Sequence, residues 1–228
     1  PRRGGGVPAP GHRRSVAEAL QCTRAALPVL VDLHEQLDVG AGRKLLAHGD
    51  SWFSFTSQRV DAHANLLEEL VFSQPTLAVS CAGHHNVLRR MVDLEGSADF
   101  LRLLDAEPAW DGILLSMGGN DLVAAATVPA LQPSGEATPL PLRLLRRQTE
   151  WDAPSKGVAR YFSEAGWQTY CAYVQANLKH VLSLRDAGPS RGKPVFMHCY
   201  AVPTPRPAGS DGSDAASGPW LYPALKAY

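Results

Sequence analysis

Lys44-Leu45-Leu46-Ala47-His48-Gly49-Asp50-Ser51-Trp52 is the stretch whose reading decides the fold. Its short apolar run, bounded by a glycine turn, has the length of a buried strand rather than a helix. A strand that stops at Gly-Asp-Ser presents a hydroxyl at the carboxyl end of a sheet, where α/β folds place their chemistry. Working outward, two more units of the same kind follow. Thr76 to Ser80 runs into Cys81-Ala82-Gly83-His84, and Gly112 to Ser116 runs into Met117-Gly118-Gly119-Asn120-Asp121. Val195 to Cys199 reads as a fourth strand.

Helical patterns fill the intervals. Ser15-Val16-Ala17-Glu18 matches a capping box, with Leu20, Leu27, Leu30, Val31 and Leu37 behind it at roughly helical spacing and Pro28 as a kink. A helix is expected over Ala64 to Phe72, and another around Phe100 to Leu104 with Ser97 as its N-cap. A long helix should bring Trp167, Tyr170, Val174, Leu178, Val181 and Leu182 onto one face. Such alternation argues for an α/β fold with a parallel sheet covered by helices. Residues 1–14, rich in Gly, Pro and Arg, read as a flexible lead-in, and 15–228 as a single domain. The stretch 127–156 is too long for an ordinary connection, which marks it as functional or disordered. Pro203 to Pro219 reads as a mobile loop.

The chain has 228 residues and is 45% hydrophobic, enough for one domain with a sizeable core. Lys+Arg and Asp+Glu both total 22, a balance that argues against binding nucleic acid or a membrane surface by charge. Apolar runs fall far short of the ~20 residues of a membrane helix. The widely spaced Cys22, Cys81, Cys171 and Cys199 fit free, mostly buried thiols in a reducing, cytoplasmic setting, while a start at Pro1 leaves export open. No Cys/His spacing suits a metal, no phosphate loop is present, and no cofactor is called for. Oligomeric state is not legible.

A serine hydroxyl needs a base to take its proton and donors to hold the oxyanion that forms on attack. Gly49 permits the turn that sets Ser51 at the start of a helix, where its own N–H faces a developing negative charge. Gly83 lets a second N–H approach a ligand, and the Asn120 side chain supplies a third donor. Asp50 is expected to bond neighbouring backbone.

Gly49-Asp50-Ser51, Gly83 and Gly118-Gly119-Asn120-Asp121, in this order and each after a strand, resemble the first three blocks of the GDSL/SGNH serine hydrolase family. The resemblance spans about residues 44–121 by motif. It implies a flavodoxin-like three-layer α/β/α sandwich with Ser51 as nucleophile and an oxyanion hole of Ser51, Gly83 and Asn120. The substrate would be a small-molecule carboxylic ester or acylated compound, attacked in esterase, lipase or deacetylase fashion through an acyl-enzyme. An acyltransferase using the same site, and a non-catalytic ligand-binding domain, are the rival readings.

The family's fourth block, Asp-x-x-His, is missing before Tyr228, as is a fifth strand after Cys199. The expected reading is a chain cut at both ends, inactive as it stands, with its base, last strand and last helix beyond Tyr228. Among the eight histidines, His198 lies at the functional edge as a substitute base, against the plainer reading of a satisfied edge residue. His84 and His85 flank Gly83 and are placed to touch substrate; His48 reads as structural, and His12, His34, His63 and His180 as surface. Trp52, beside Ser51, is a candidate pocket wall, whereas Trp110, Trp151, Trp167 and Trp220 read mainly as core.

Overall fold

Three near-continuous apolar segments form the middle of the sheet, as strands buried on both faces require. These are β2 (Arg43–Gly49), β3 (Thr76–Ser80) and β4 (Gly112–Ser116). With β1 (Ala19–Gln21) and β5 (Val195–Met197) they make a five-stranded, wholly parallel sheet in the order β1-β3-β2-β4-β5. The computed structural model describes residues 19–21, 42–54, 66–67, 69–83, 86–198, 200 and 221–227. The chain is thus an α/β protein. Its order reverses between β2 and β4, the switch point at which open α/β sheets bind their ligands.

Side chains alternate across the pleat and divide the core in two. Leu46, Val79, Ile113 and Leu115 point to one face. There they meet Leu88 and Met91 of α2 (Leu88–Met91), Phe100, Leu103 and Leu104 of α3 (Leu94–Asp105), and Val181 of α5 (Glu164–Ala187). Leu45, Ala47, Ala78 and Leu114 point to the other face, against Leu67 and against Phe53 of α1 (Ser51–Ser54). Two short helices complete the set, α4 (Gly119–Ala126) and α6 (Leu221–Ala227). No helix among the described residues is long and apolar enough to cross a membrane.

Several expectations change. Leu20 lies in β1, not in a helix, because a three-residue edge strand is fixed by backbone pairing to β3 that no side-chain period announces. The rest of that helix, with its Ser15 capping box, falls outside the described residues, as do the lead-in, Cys199 and the 203–219 loop. Among the described residues β1 thus lies at one edge of the sheet, beside β3, and β5 at the other. Over the expected Ala64–Phe72 helix the described residues form turns, with Leu66 N–H held by the Trp52 carbonyl at 2.9 Å. Ser97 sits at a break inside α3, its hydroxyl oxygen lying between the Arg90 carbonyl and His48 Nε2 instead of capping. On α5, Tyr173, Val174, Leu178, Val181 and Leu184 face the core, while Trp167 and Leu182 are exposed. Of the described tryptophans only Trp110 is fully in the core; Trp52 and Trp167 are exposed and Trp151 is half-buried, while Trp220 lies outside the described residues.

The 127–156 stretch is ordered. It carries 3₁₀ turns at Leu140–Leu142 and Gln148–Glu150, with a third following at Pro154–Tyr161, and the Leu145–Phe162 bridge closes it. Arg143, whose side chain is only 1% exposed, anchors it through the Thr138 and Leu145 carbonyls and a 2.6 Å ion pair with Glu150. Burial alone would raise the Glu150 carboxyl, but hydrogen bonds from Arg143 and Arg147 outweigh it and hold the pKa down at about 2. Ser163 caps α5 by accepting from Gly166 N–H and donates to the Leu140 carbonyl, so the insertion is tied to the helix start. Gly166 is required there: a Cβ on it would lie 1.9 Å from the Arg143 carbonyl oxygen.

Candidate functional site

The carboxyl ends of β2, β3 and β4 meet at one edge, and hydrogen bonds join the three expected blocks. The Gly49 carbonyl accepts from Gly83 N–H at 3.0 Å and from Asn86 Nδ2 at 3.1 Å. The Asn120 amide in turn donates to the Asn86 carbonyl at 3.0 Å. Asn86, not singled out in the sequence, is thus the link between the first and third blocks. Gly83 donates its N–H to Gly49 rather than presenting it to a ligand, and a Cβ there would crowd the Asn86 amide at 3.1 Å. Gly49 itself is packed so closely on β4 that a Cβ would come within 2.6 Å of the Ser116 carbonyl oxygen.

Ser51 opens α1, so its N–H is one the helix leaves unused. It is partly exposed, next to the exposed Trp52 ring. No hydrogen bond from Ser51 Oγ to a histidine occurs among the described residues. Gly118 adopts φ +96°, a left-handed turn that glycine takes without strain, and it starts α4 with Asn120 and Asp121 in the first turn. Asp121 is buried and accepts from Leu88 N–H and, at 2.6 Å, from the Tyr173 hydroxyl. Burial, then the Asp121 hydrogen bond, pushes the Tyr173 hydroxyl up to about 12; burial and the Asp121 charge do the same for Tyr170, which donates to the Gly118 carbonyl. The last two residues of the G-x-N-D motif therefore split their work: Asn120 holds the Asn86 carbonyl, and Asp121 fastens α4 to α2 and α5.

Asp50 does more than bond backbone. Besides accepting from Trp52 N–H at 3.1 Å, it accepts from the Ser116 hydroxyl at 2.6 Å and the Tyr200 hydroxyl at 2.8 Å. Because the single Ser116 proton goes to Asp50, His198 Nε2–H is the donor in the 2.8 Å contact with Ser116 Oγ. Aspartate, serine and histidine meet here in the wrong order for a triad. The imidazole is not placed to take the serine proton, and Ser116 is fully buried. His198 is therefore a satisfied edge histidine in this structure, packed at 4.8 Å from the Tyr200 ring. Sequence reading missed Ser116 and Tyr200, although the strand-end position that flagged Ser51 marks both: Ser116 closes β4 and Tyr200 follows β5.

His48, 1% exposed, stacks on Phe100 at 4.5 Å, bonds the Cys81 carbonyl through Nδ1 and meets Ser97 Oγ through Nε2. Burial lowers its pKa to about 4, against a weaker opposite pull from the Cys81 carbonyl, so it is neutral and structural, with Nδ1–H donating to the Cys81 carbonyl and Nε2 accepting from the Ser97 hydroxyl. His180 is exposed; His12, His34, His63, His84 and His85 lie outside the described residues. A cavity of about 430 Å³ lies between α4, the Leu140–Leu142 turn and α5, but Ser51, Gly83 and Asn120 do not line it. No family model matches the chain, and no curated protein matches it.

Proposed function

We propose that the chain is a serine hydrolase of carboxylic esters, of esterase or deacetylase type, with Ser51 as nucleophile. The observation that carries this reading is the hydrogen-bonded path from Asn120 through Asn86 to Gly49, which gathers the strand ends of β2, β3 and β4 at the switch point. Ser51 Oγ attacks the ester carbonyl, and the alcohol leaves with a proton to give an acyl-enzyme that water cleaves. The oxyanion is received by the Ser51 N–H and the second Asn120 amide hydrogen. Gly83 completes the hole once its N–H turns from the Gly49 carbonyl, or else backs it by holding that carbonyl in place. The base that takes the Ser51 proton lies outside the described residues in this reading. The three-layer arrangement belongs to the same reading.

A non-catalytic ligand-binding role is the second reading, favoured by the commitment of His198 to Ser116. Incubation with p-nitrophenyl acetate, followed by intact-mass and peptide mapping, tests both. Acyl transfer to Ser51 is expected in the wild type and none in Ser51→Ala. Asn120→Ala should slow acylation about 10²- to 10³-fold, the loss typical of one oxyanion donor. Acylation elsewhere, or none, refutes the enzymatic reading.

A further inference from the structure

The Tyr200 hydroxyl reaches across the site. It donates to Asp50 Oδ2 at 2.8 Å, within the first block. Its ring and hydroxyl also lie against Gly119 at the start of α4, so closely that a Cβ on Gly119 would sit 2.9 Å from the ring carbons. Asp50 is 2% exposed, and its other oxygen is held by Ser116, which His198 holds in turn. The turn carrying Ser51 is therefore gripped on one carboxylate oxygen from β4 and β5, and on the other by a residue that touches the Asn120 helix. Burial, the Asp50 hydrogen bond and the Asp50 charge push the Tyr200 hydroxyl pKa well up, so the donor stays protonated across the physiological range.

We propose that Tyr200 is a positioning residue, a clamp that fixes the distance between the Ser51 turn and the Asn120-bearing start of α4, with the His198–Ser116 pair as its second arm. Catalysis of the proposed kind depends on donors held to within a fraction of an ångström of the developing oxyanion. The β2–β4 pairing ends at Asp50 N–H on the Ser116 carbonyl, and beyond it the turn carrying Ser51 and the start of α4 are bridged through Asn86. The hydroxyl of Tyr200 adds a side-chain join from the far side of Asp50. This inference rests on the serine-hydrolase reading for its catalytic consequence, but its geometric content stands apart from it.

Tyr200→Phe tests it, because the ring remains against Gly119 and only the hydroxyl is lost. Two readouts are taken on the full-length protein: amide hydrogen exchange by NMR, and the rate and half-saturation of Ser51 acylation by p-nitrophenyl acetate. Exchange at the Trp52 N–H, bonded to Asp50, and the Leu122 N–H, bonded to the Gly118 carbonyl, should quicken about 10- to 100-fold, as expected when a hydrogen bond to a charged group goes. Val79 and Leu115 amides in the sheet centre should not change. The maximal acylation rate should fall by a similar factor with half-saturation unmoved, and Ser116→Ala added to Tyr200→Phe should cost less than the two single losses combined. Unchanged exchange at Trp52 and Leu122 overturns the clamp whether or not the wild type is acylated. Loss spread evenly over site and core amides overturns it too, as that marks general destabilisation. If exchange changes as described while wild-type Ser51 stays unacylated, the clamp holds and the hydrolase reading fails.

Discussion

Acid should destabilise this fold through one buried imidazole. His48 is folded in its neutral form, with a pKa of about 4 against 6.5 when unfolded. An unfolded chain takes up the proton first as the pH drops, so stability is complete above about pH 6.5 and falls through the window down to about pH 4. It is flat below that, where both states are protonated. The gap between 6.5 and about 4 is worth about 3 kcal/mol at roughly 1.4 kcal/mol per pKa unit. By about pH 4.5 some 2 kcal/mol of this should be gone. Glu150 runs lower: its folded pKa of about 2 against 4.5 places its loss below that range. The assay is urea unfolding at about pH 7, 5.5 and 4.5, comparing wild type with His48→Asn. Asparagine does not titrate and keeps a donor for the Cys81 carbonyl. The difference between the two curves should shrink by about 2 kcal/mol from neutral to acid pH. A difference that stays constant across the series would refute the reasoning, since no linked proton would then belong to His48.

Three further outcomes follow from close contacts. Gly166→Ala, normally worth up to about 1 kcal/mol of gain inside a helix, should instead lower stability by about 1–3 kcal/mol, read by thermal melting, because its Cβ meets the Arg143 carbonyl at 1.9 Å. Gly49→Ala should cost a similar amount by forcing β2 from β4 at the Ser116 carbonyl, 2.6 Å away, and Ser51 acylation should disappear with it. Phe196 and Met197 are exposed on β5, the sheet edge; Phe196→Lys should reduce aggregation in size-exclusion runs without lowering the melting temperature.

The sheet centre was legible because Thr76–Ser80 and Gly112–Ser116 are short apolar runs closed by glycine-bearing turns, and their bounds agree residue for residue. β1 was not: Ala-Leu-Gln sits within a helix-like spacing, and only pairing with β3 decides its conformation. The order of the insertion was not legible, because Arg143 is buried only once the Thr138 and Leu145 carbonyls and Glu150 close around its guanidinium and Gly166 of the next helix packs on its carbonyl. The turn glycines and Asn120 could be picked out because each motif is local. Asn86, Ser116 and Tyr200 matter through partners far away in sequence, so their roles emerge only when the strand ends are brought together.

The strand order also dictates when the sheet can be made during synthesis. Each pair is parallel, so none can close as a simple hairpin, and each needs a long loop drawn shut first. β1 leaves the ribosome earliest yet pairs with β3 and must wait until Ser80 is out. β2 acquires one neighbour with β3 and its second only with Gly112–Ser116, while Tyr200, the tie across the site, emerges later still. A nascent chain paused before that point would hold its central strands with the Ser51 turn not yet tied to Tyr200, and such parallel, non-local pairing is slow and exposed to misassociation. The chain's demand on chaperones should therefore be greatest before β5 and Tyr200 are translated.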